Sequence, residues 1–366
     1  MHRREFLKAG VALTFAAQWP TLARADVSFD PAPGTWRNFQ IVTRLEIAKP
    51  AGVSQAWIPL PSVNQKDWIK SSDSQWTTNG KAVLARDPHY GAEMLHVAWA
   101  ASEEAPMVEV TSRIATQDRA VDLTKPGKPA IDLASAERKF NTAGTELIPV
   151  DGIVKATSDK ITAGKTTEIE KVHAIYEWVV ENTFRDAKVR GCGIGDIAAM
   201  LKTGNLGGKC ADLNALFVGL VRAAGIPARD VYGIRVAPSK FGFKALGTGS
   251  ENITKAQHCR AEVFLTGYGW VATDPADVRK VVLEEPPTNL AIDDPKVAAA
   301  RKTLFGAWEG NWLAYNFAHD LALPGSTGPK LAFLMYPQGE TANSRLDCLD
   351  ADNFKYTIKS KELTAA

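Results

Sequence analysis

The spacing of apolar residues changes part-way along the chain. Between about Trp36 and Val121 apolar and polar positions alternate, as in Arg44-Leu45-Glu46-Ile47, Ala56-Trp57-Ile58-Pro59-Leu60, Leu95-His96-Val97-Ala98-Trp99 and Val108-Glu109-Val110. A period of two, punctuated by prolines, glycines and Asn79-Gly80, predicts an antiparallel, sandwich-like β-domain over residues 26–121. Trp57, Trp68, Trp76 and Trp99 fall within it, and packing across a sheet is the role expected of them. Lys125-Pro126-Gly127-Lys128-Pro129 then opens a segment, 122–164, that reads as a linker.

From residue 165 the period becomes helical. Thr167 and Glu170 form a capping box ahead of a helix that buries Ile169, Val172, Tyr176, Val179 and Val180. His173 and Trp178 lie on this helix without a spaced partner and read as structural. A second helix presents Leu213, Leu216, Phe217, Leu220, Val221 and Ala224 as one buried face, ends at Gly225 and is kept from resuming by Pro227. Cys210 sits in its first turn, behind Gly207-Gly208, which reads as a glycine turn. Unpaired N–H groups and the positive end of the helix dipole favour a thiolate there. The run Arg190-Gly191-Cys192-Gly193-Ile194-Gly195-Asp196 lacks the Lys-Ser/Thr ending of a phosphate-binding loop, so its glycines are expected to let backbone pass close to Cys210.

Downstream, His258 to Leu265 and Trp270 to Pro275 flank Thr266-Gly267-Tyr268-Gly269 and predict a β-hairpin. Thr266 is the midpoint of His258 and Asp274, so an odd-length loop centred on it sets imidazole and carboxylate level on neighbouring strands. A cysteine at a helix start with a His and an Asp on a facing hairpin suits thiol nucleophilic catalysis. In that scheme His258 takes the thiol proton and later protonates a leaving amine, while Asp274 holds its tautomer and orientation. Cys259, next in a regular strand, is expected on the opposite face. The strand Val231–Val236 and a long polar loop from Pro238 to about Lys255 connect the two halves, and loops of that kind often set specificity.

Gly208-Lys209-Cys210-Ala211-Asp212, Arg222-Ala223-Ala224-Gly225-Ile226-Pro227-Ala228-Arg229 and the His258–Pro275 hairpin together resemble, in order and spacing, the core of the bacterial transglutaminase-like superfamily. The resemblance covers about 165–285, and the family's catalytic Cys, His and Asp fall on Cys210, His258 and Asp274. It implies an α+β, papain-like catalytic domain behind the β-domain, with residues 286–366 as an extension packed on it. It also implies attack of Cys210 on a peptide or side-chain amide to form a thioester. Water as acceptor makes a cysteine peptidase or amidase, the expectation for an exported enzyme, and an amine makes a transglutaminase. The Cys210 N–H is one expected oxyanion donor, the second is unassigned, and Trp178 is a weak candidate. Many members carry Ala-Trp after the histidine where this chain has Cys259-Arg260, a departure that bears on the acyl-donor site.

Residues 1–25, with Arg3-Arg4, a short apolar stretch and Ala23-Arg24-Ala25, read as a twin-arginine signal peptide, which places the mature protein in the periplasm or otherwise outside the cytoplasm. The apolar stretch is too short to span a bilayer, so no stable membrane insertion is expected after its removal. Its loss takes the formal charge from +2 to about −1, leaving no basic stripe for nucleic acid. The expected partner is a peptide or protein substrate. No cofactor or metal is expected, because no cysteine pair has C-x-x-C spacing. With Cys210 as nucleophile, Cys192, Cys259 and Cys348 allow at most one disulfide. Trp308, Trp312 and Tyr315, at i, i+4 and i+7, predict an aromatic helical face near the C-terminus. Two other readings stay open: a cell-envelope binding or scaffold protein, and a thiol redox protein in which Cys210 pairs with Cys192 or Cys259.

Overall fold

The strand Arg37–Ile47 alternates buried Phe39, Ile41, Leu45 and Ile47 with half-exposed polar residues, and it is the spine of the β-domain. In the computed structural model, which describes residues 28–342, 344–350 and 352–364, it pairs on one side with Met107–Thr116 and on the other with Phe354–Leu363. The expected signal peptide lies outside the described residues. Ile69–Ser71 and Gln75–Thr78 complete this five-stranded sheet on the Met107 strand. A second sheet has the order 344–345, 338–341, 54–59, 93–99, 81–86. Leu45, Ile58, Leu95, Val97, Trp99, Val108 and Phe354 fill the space between the two, as in a β-sandwich.

The C-terminal residues correct the expected domain plan. Residues 286–366 are not a single extension on the catalytic domain, because Gln338–Thr341 and Phe354–Leu363 are sandwich strands. Phe354, Ile358 and Ser360 are buried and Tyr356 half-buried on one face of the strand, which covers an edge that would otherwise expose unpaired backbone. The aromatic helix is absent too. Trp308 lies in the short strand Ala307–Trp308, and Trp312 and Tyr315 in the strand Trp312–Asn316, with Gly310 in the bend between them. The spacing i, i+4, i+7 was accidental across that bend.

Among the described residues seven α-helices follow in chain order: α1 Ser135–Thr142, α2 Gly152–Thr162, α3 Glu168–Asn182, α4 Ile197–Thr203, α5 Cys210–Ala223, α6 Pro275–Glu284 and α7 Pro295–Thr303. The first two occupy what reads as linker in the sequence. Helix α2 buries Val154 and Ser158, and the Ser158 hydroxyl donates to Leu220 O at 2.7 Å. The capping box on α3 is present: Glu170 N donates to Thr167 Oγ1 at 3.2 Å, and Thr167 N to Glu170 Oε2 at 2.9 Å. Ile169 is only half-buried, and Ile175 takes its place in the core.

Helix α5 is buried along its whole length, not on one face. The helices α2, α3 and α6 and the sheet 269–273, 257–265, 228–235, 312–316 surround it, which explains an apolar content too high for an amphipathic stripe. Its one buried cation, Arg222, spends its donors on carbonyls, Nε on Ala228 O at 2.7 Å and Nη1 on Ala143 O at 3.1 Å. The β-sandwich docks on this sheet through Phe39, Ile41, Ile114 and Ile358 against Ile234, Leu313 and Tyr315. No helix among the described residues is long and apolar enough to cross a membrane.

Candidate active site

Helix α5 starts where the sequence suggests, but Gly207-Gly208 is not a turn. The two residues are extended and pair in parallel with Phe184–Arg185. Gly208 is small because a Cβ there would meet the Asp212 carboxylate. Asp212, the third helical residue, accepts Lys209 N at 2.9 Å through Oδ2 and both Ile194 N and Gly195 N at 2.9 Å through Oδ1. One carboxylate thus caps the helix and straps the 190–196 loop against it. Gly193, at φ +91°, lies so close over that carboxylate that a Cβ would collide with it. The loop returns the contact, since Ala211 N donates to Cys192 O at 3.0 Å.

Cys210 is the first helical residue and is 3% exposed. His258 stands near the start of the strand Gln257–Leu265, and Asp274 is the N-cap of α6. His258 Nε2–H donates to Asp274 Oδ2 at 2.7 Å, which leaves Nδ1 clear of the carboxylate, and Cys210 and His258 line the same cleft. Asp274 Oδ1 accepts Asp277 N at 3.0 Å and Asn214 Nδ2 at 3.2 Å. Asn214 also donates to Cys259 O at 2.9 Å and accepts from Ala276 N at 3.3 Å, so one amide, a turn beyond Cys210, ties α5 to the strand and to α6.

The hairpin register differs from the sequence reading. Ala261 pairs with Thr273, Val263 with Val271 and Leu265 with Gly269, so the hairpin centres on Gly267, not Thr266. The loop is three residues, as expected, but strict register would set Ala276 level with His258. Asp274 meets the imidazole because the chain leaves the strand there and turns into a helix.

Electrostatics set the protonation states. Burial pushes the His258 imidazole down, but the charges of Asp277 and Asp274 outweigh burial and the neighbouring Arg235 and raise it to about 9. The neighbouring Cys192, Cys259 and His258 side chains hold the Cys210 thiol well below its ordinary value against burial. The Asp277 carboxylate, 3.3 Å from His258 Nε2, also takes both Arg235 Nη2 contacts at 2.6 Å. Arg235 holds it well below the usual range although burial alone would raise it. His258, Asp274 and Asp277 are close enough together for a metal cluster. Arg235 on Asp277 and Arg260, 3.8 Å from Asp274, already supply the positive charge such a cluster would seek.

These elements have counterparts in known proteins. The transglutaminase-like superfamily model matches residues 155–275. An uncharacterized protein of Haemophilus influenzae is 37% identical over 329 residues, 85% of this chain and 87% of that protein. The chain belongs to the transglutaminase-like superfamily. Among solved structures, a proposed cysteine protease from Cytophaga hutchinsonii superposes with a TM-score of 0.58 at 13% identity, covering 91% of this chain and 93% of that one, which extends the shared fold to the β-domain.

Within this transglutaminase-like site the structure brings Cys210, His258 and Asp274 together. It keeps Trp178 and His173 away. Trp178 packs at the margin of the core, and His173 is exposed beside Glu177 at 3.7 Å. Cys259 is fully buried, and burial pushes its thiol well up. All four cysteines are free thiols. Arg260 lies between the rings of Trp308 and Trp312, 5.3 and 4.8 Å from their centroids, and donates to Glu309 O at 3.0 Å. Trp312 Nε1 donates to His258 O at 3.0 Å and Trp308 Nε1 to Thr273 O at 3.2 Å, so the two indoles fix the backbone that carries the imidazole.

Several site residues carry no signal in the sequence. Asn214 is the most accessible, lying one helical turn from Cys210. Tyr336 comes from the far C-terminal region and donates to Cys192 Sγ at 3.0 Å. Gln257, beside His258, lines the cleft over Cys210, and its Nε2 is buried without a hydrogen-bond partner.

Proposed function

We propose that this chain is a thiol-dependent acyl-transfer enzyme that cleaves peptide or side-chain amides, and that it is exported. The observation that carries the reading is the short His258–Asp274 hydrogen bond in the cleft that also holds Cys210 at a helix start, its thiol lowered in part by the same imidazole. The Cys210 thiolate attacks the amide carbonyl carbon, and the oxygen takes up the electron pair. The Cys210 N–H at the start of α5 donates to that oxyanion, and Gln257 Nε2, buried in the cleft lining without another hydrogen bond, is the second donor. His258, an imidazolium below about pH 9, protonates the leaving amine as the tetrahedral intermediate collapses to a thioester. Asp274 keeps the ring oriented through both steps. Water, deprotonated by His258, then attacks the thioester and releases a carboxylic acid. An amine in its place gives a new amide. Family membership supports thiol chemistry on a papain-like fold, and an exported enzyme in bulk water supports hydrolysis.

Intact-mass spectrometry tests the reading. Purified protein incubated with peptide amides should gain the acyl mass on Cys210, lose it to hydroxylamine as a hydroxamate, and release a carboxylic acid in water alone. Cys210→Ala should gain nothing. If the acyl mass persists in Cys210→Ala, or if wild type gains none and releases no amine from any amide offered, the assignment is wrong. Cross-linked product with an added primary amine in preference to acid would make the enzyme a transglutaminase instead.

A further inference from the structure

The cleft over Cys210 and His258 has a volume of about 940 Å³, room for several residues of a peptide. Its lining is strongly one-signed. Eight Lys or Arg side chains contribute to it, against the single carboxylate of Glu46. Half of these cations are spoken for. Arg44 pairs with Glu46 at 2.8 Å, Arg190 with Asp347 at 2.8 Å, Arg235 with Asp277, and Arg185 with Glu284. Lys280 must share Glu284 with Arg185, at 3.7 Å. Among the described residues, Lys209, Lys255 and Lys355 line the cleft without a carboxylate partner, Lys209 half-buried and the other two exposed.

A chain with 43 Lys and Arg against 41 Asp and Glu does not gather unpaired cations in one cleft by average composition. Lys280 shows the imbalance at depth. Its side chain is 17% exposed, and burial, reinforced by Arg235, pulls its ammonium below the ordinary value. Cations along a concave wall of low dielectric focus a positive field into the opening. The four lysines come from four separate segments: the residue before the nucleophile, the loop before His258, α6 and the C-terminal strand. Their charge is therefore spread around the cleft rather than gathered into one compact anion hole. That distribution suits several carboxylates along an extended chain.

We propose that the acyl donor is an acidic peptide, with Glu or Asp side chains or a free carboxylate flanking the amide that Cys210 attacks, and that Lys209, Lys280, Lys255 and Lys355 select it. The inference rests on Cys210 as nucleophile and adds the substrate class. It gives the β-domain a role as well, because Lys355 enters the site from the strand that completes the sandwich.

Two alkylating reagents of different charge test it without knowledge of the substrate. Iodoacetate is an anion and iodoacetamide is neutral; with each, the Cys210 thiolate forms an S–C bond as iodide leaves. Both meet the same thiolate, so the ratio of their rates cancels changes in thiol reactivity and reads the field. Relative to 2-mercaptoethanol, the ratio for wild type should be raised several-fold at low salt and fall about two- to fivefold between about 20 and about 300 mM salt. It should fall similarly in the triple variant Lys209→Gln, Lys255→Gln, Lys355→Gln. The salt arm needs no variant to fold. A reactive Cys210 whose ratio matches the model thiol and ignores both salt and substitution overturns this inference and leaves the thiol enzyme standing. A Cys210 that meets iodoacetamide no faster than the model thiol near neutral pH removes the nucleophile, and this inference falls with it. Peptide amides then check the class directly. Glu-flanked peptides should exceed Lys-flanked ones in kcat/KM by about tenfold or more, and equal rates would overturn the selection.

Discussion

His258 Nε2 lies 2.7 Å from Asp274 Oδ2, although no strand pairing holds the two residues together. The contact exists because Asp274 ends one element and begins another. Its Oδ1 caps α6 while its Oδ2 holds the imidazole. Asp274→Asn separates these duties. Asn caps a helix about as well as Asp, so unfolding free energy should change by no more than about 1 kcal/mol. The neutral amide cannot stabilise the imidazolium, so kcat/KM on an amide substrate should fall about a hundredfold or more. A large loss of stability in urea with activity intact would reverse the roles assigned to the two oxygens.

The pH dependence has a definite sign. With the Cys210 thiol held down, thiolate persists as pH falls below the ordinary thiol range, about 8.5. With His258 raised to about 9, the imidazolium that protonates the leaving amine is present through neutral pH and lost as pH rises through about 9. Alkylation of wild type at about pH 6 should therefore outpace that of a model thiol. Turnover should decline on an alkaline limb near 9. In His258→Ala the acid arm of alkylation should move up towards the free-thiol value; profiles that superimpose would sink the Cys–His pair.

The proposed role of Gln257 Nε2 as an oxyanion donor can be separated from a packing role. Gln257→Ala should lower kcat about tenfold to a hundredfold while leaving iodoacetamide alkylation of Cys210 within about twofold, since alkylation builds no oxyanion. Equal losses in both assays would mean that the side chain only supports the site.

Arg235 and Asp277 form a buried bidentate pair, 2% and 1% exposed, next to the imidazole. Arg235→Leu takes the bidentate partner from a buried carboxylate and leaves it only the His258 imidazole at 3.3 Å, a change that costs up to about 3–5 kcal/mol of folding stability. Arg235 also opposes the charge on His258, so its removal should move the alkaline limb of activity upward. Urea unfolding and a pH–rate profile on the same variant check both effects, and a stability unchanged within error would show the pair to be dispensable.

Gly193→Ala should cost about 1–3 kcal/mol from positive φ alone, with a further penalty from the Asp212 carboxylate below it. Because that carboxylate also caps α5, Cys210 alkylation at low pH should slow in the same variant. An unaffected melting temperature would show that the loop can move off Asp212 at no cost.

The catalytic third of the chain was legible because its chemistry is local. A capping box at Thr167, a helix start at Cys210, a glycine stop at Gly225 and two apolar runs around a glycine loop are written in neighbouring residues, and the structure has all four elements. The accidental aromatic spacing at Trp308, Trp312 and Tyr315 shows the weakness of the same method. Two residues on either side of a bend at Gly310 imitate a helical period, and only the strand partner, 228–235, distinguishes the cases.

What the sequence by itself determined is the kind of the main elements around Cys210, the alternation of the N-terminal strands, and the residue types needed for thiol chemistry. Local backbone preference and apolar periodicity act over a few residues, so a few residues suffice to read them. What only the tertiary structure decided is closure. It brought Phe354–Leu363 back to Arg37–Ile47 across more than three hundred residues, put Asp274 at a helix cap instead of in register, and assembled lysines from four segments around one cleft. Those outcomes follow from burying one surface against another. Which surfaces meet depends on the whole packed chain, and no window along the sequence contains it.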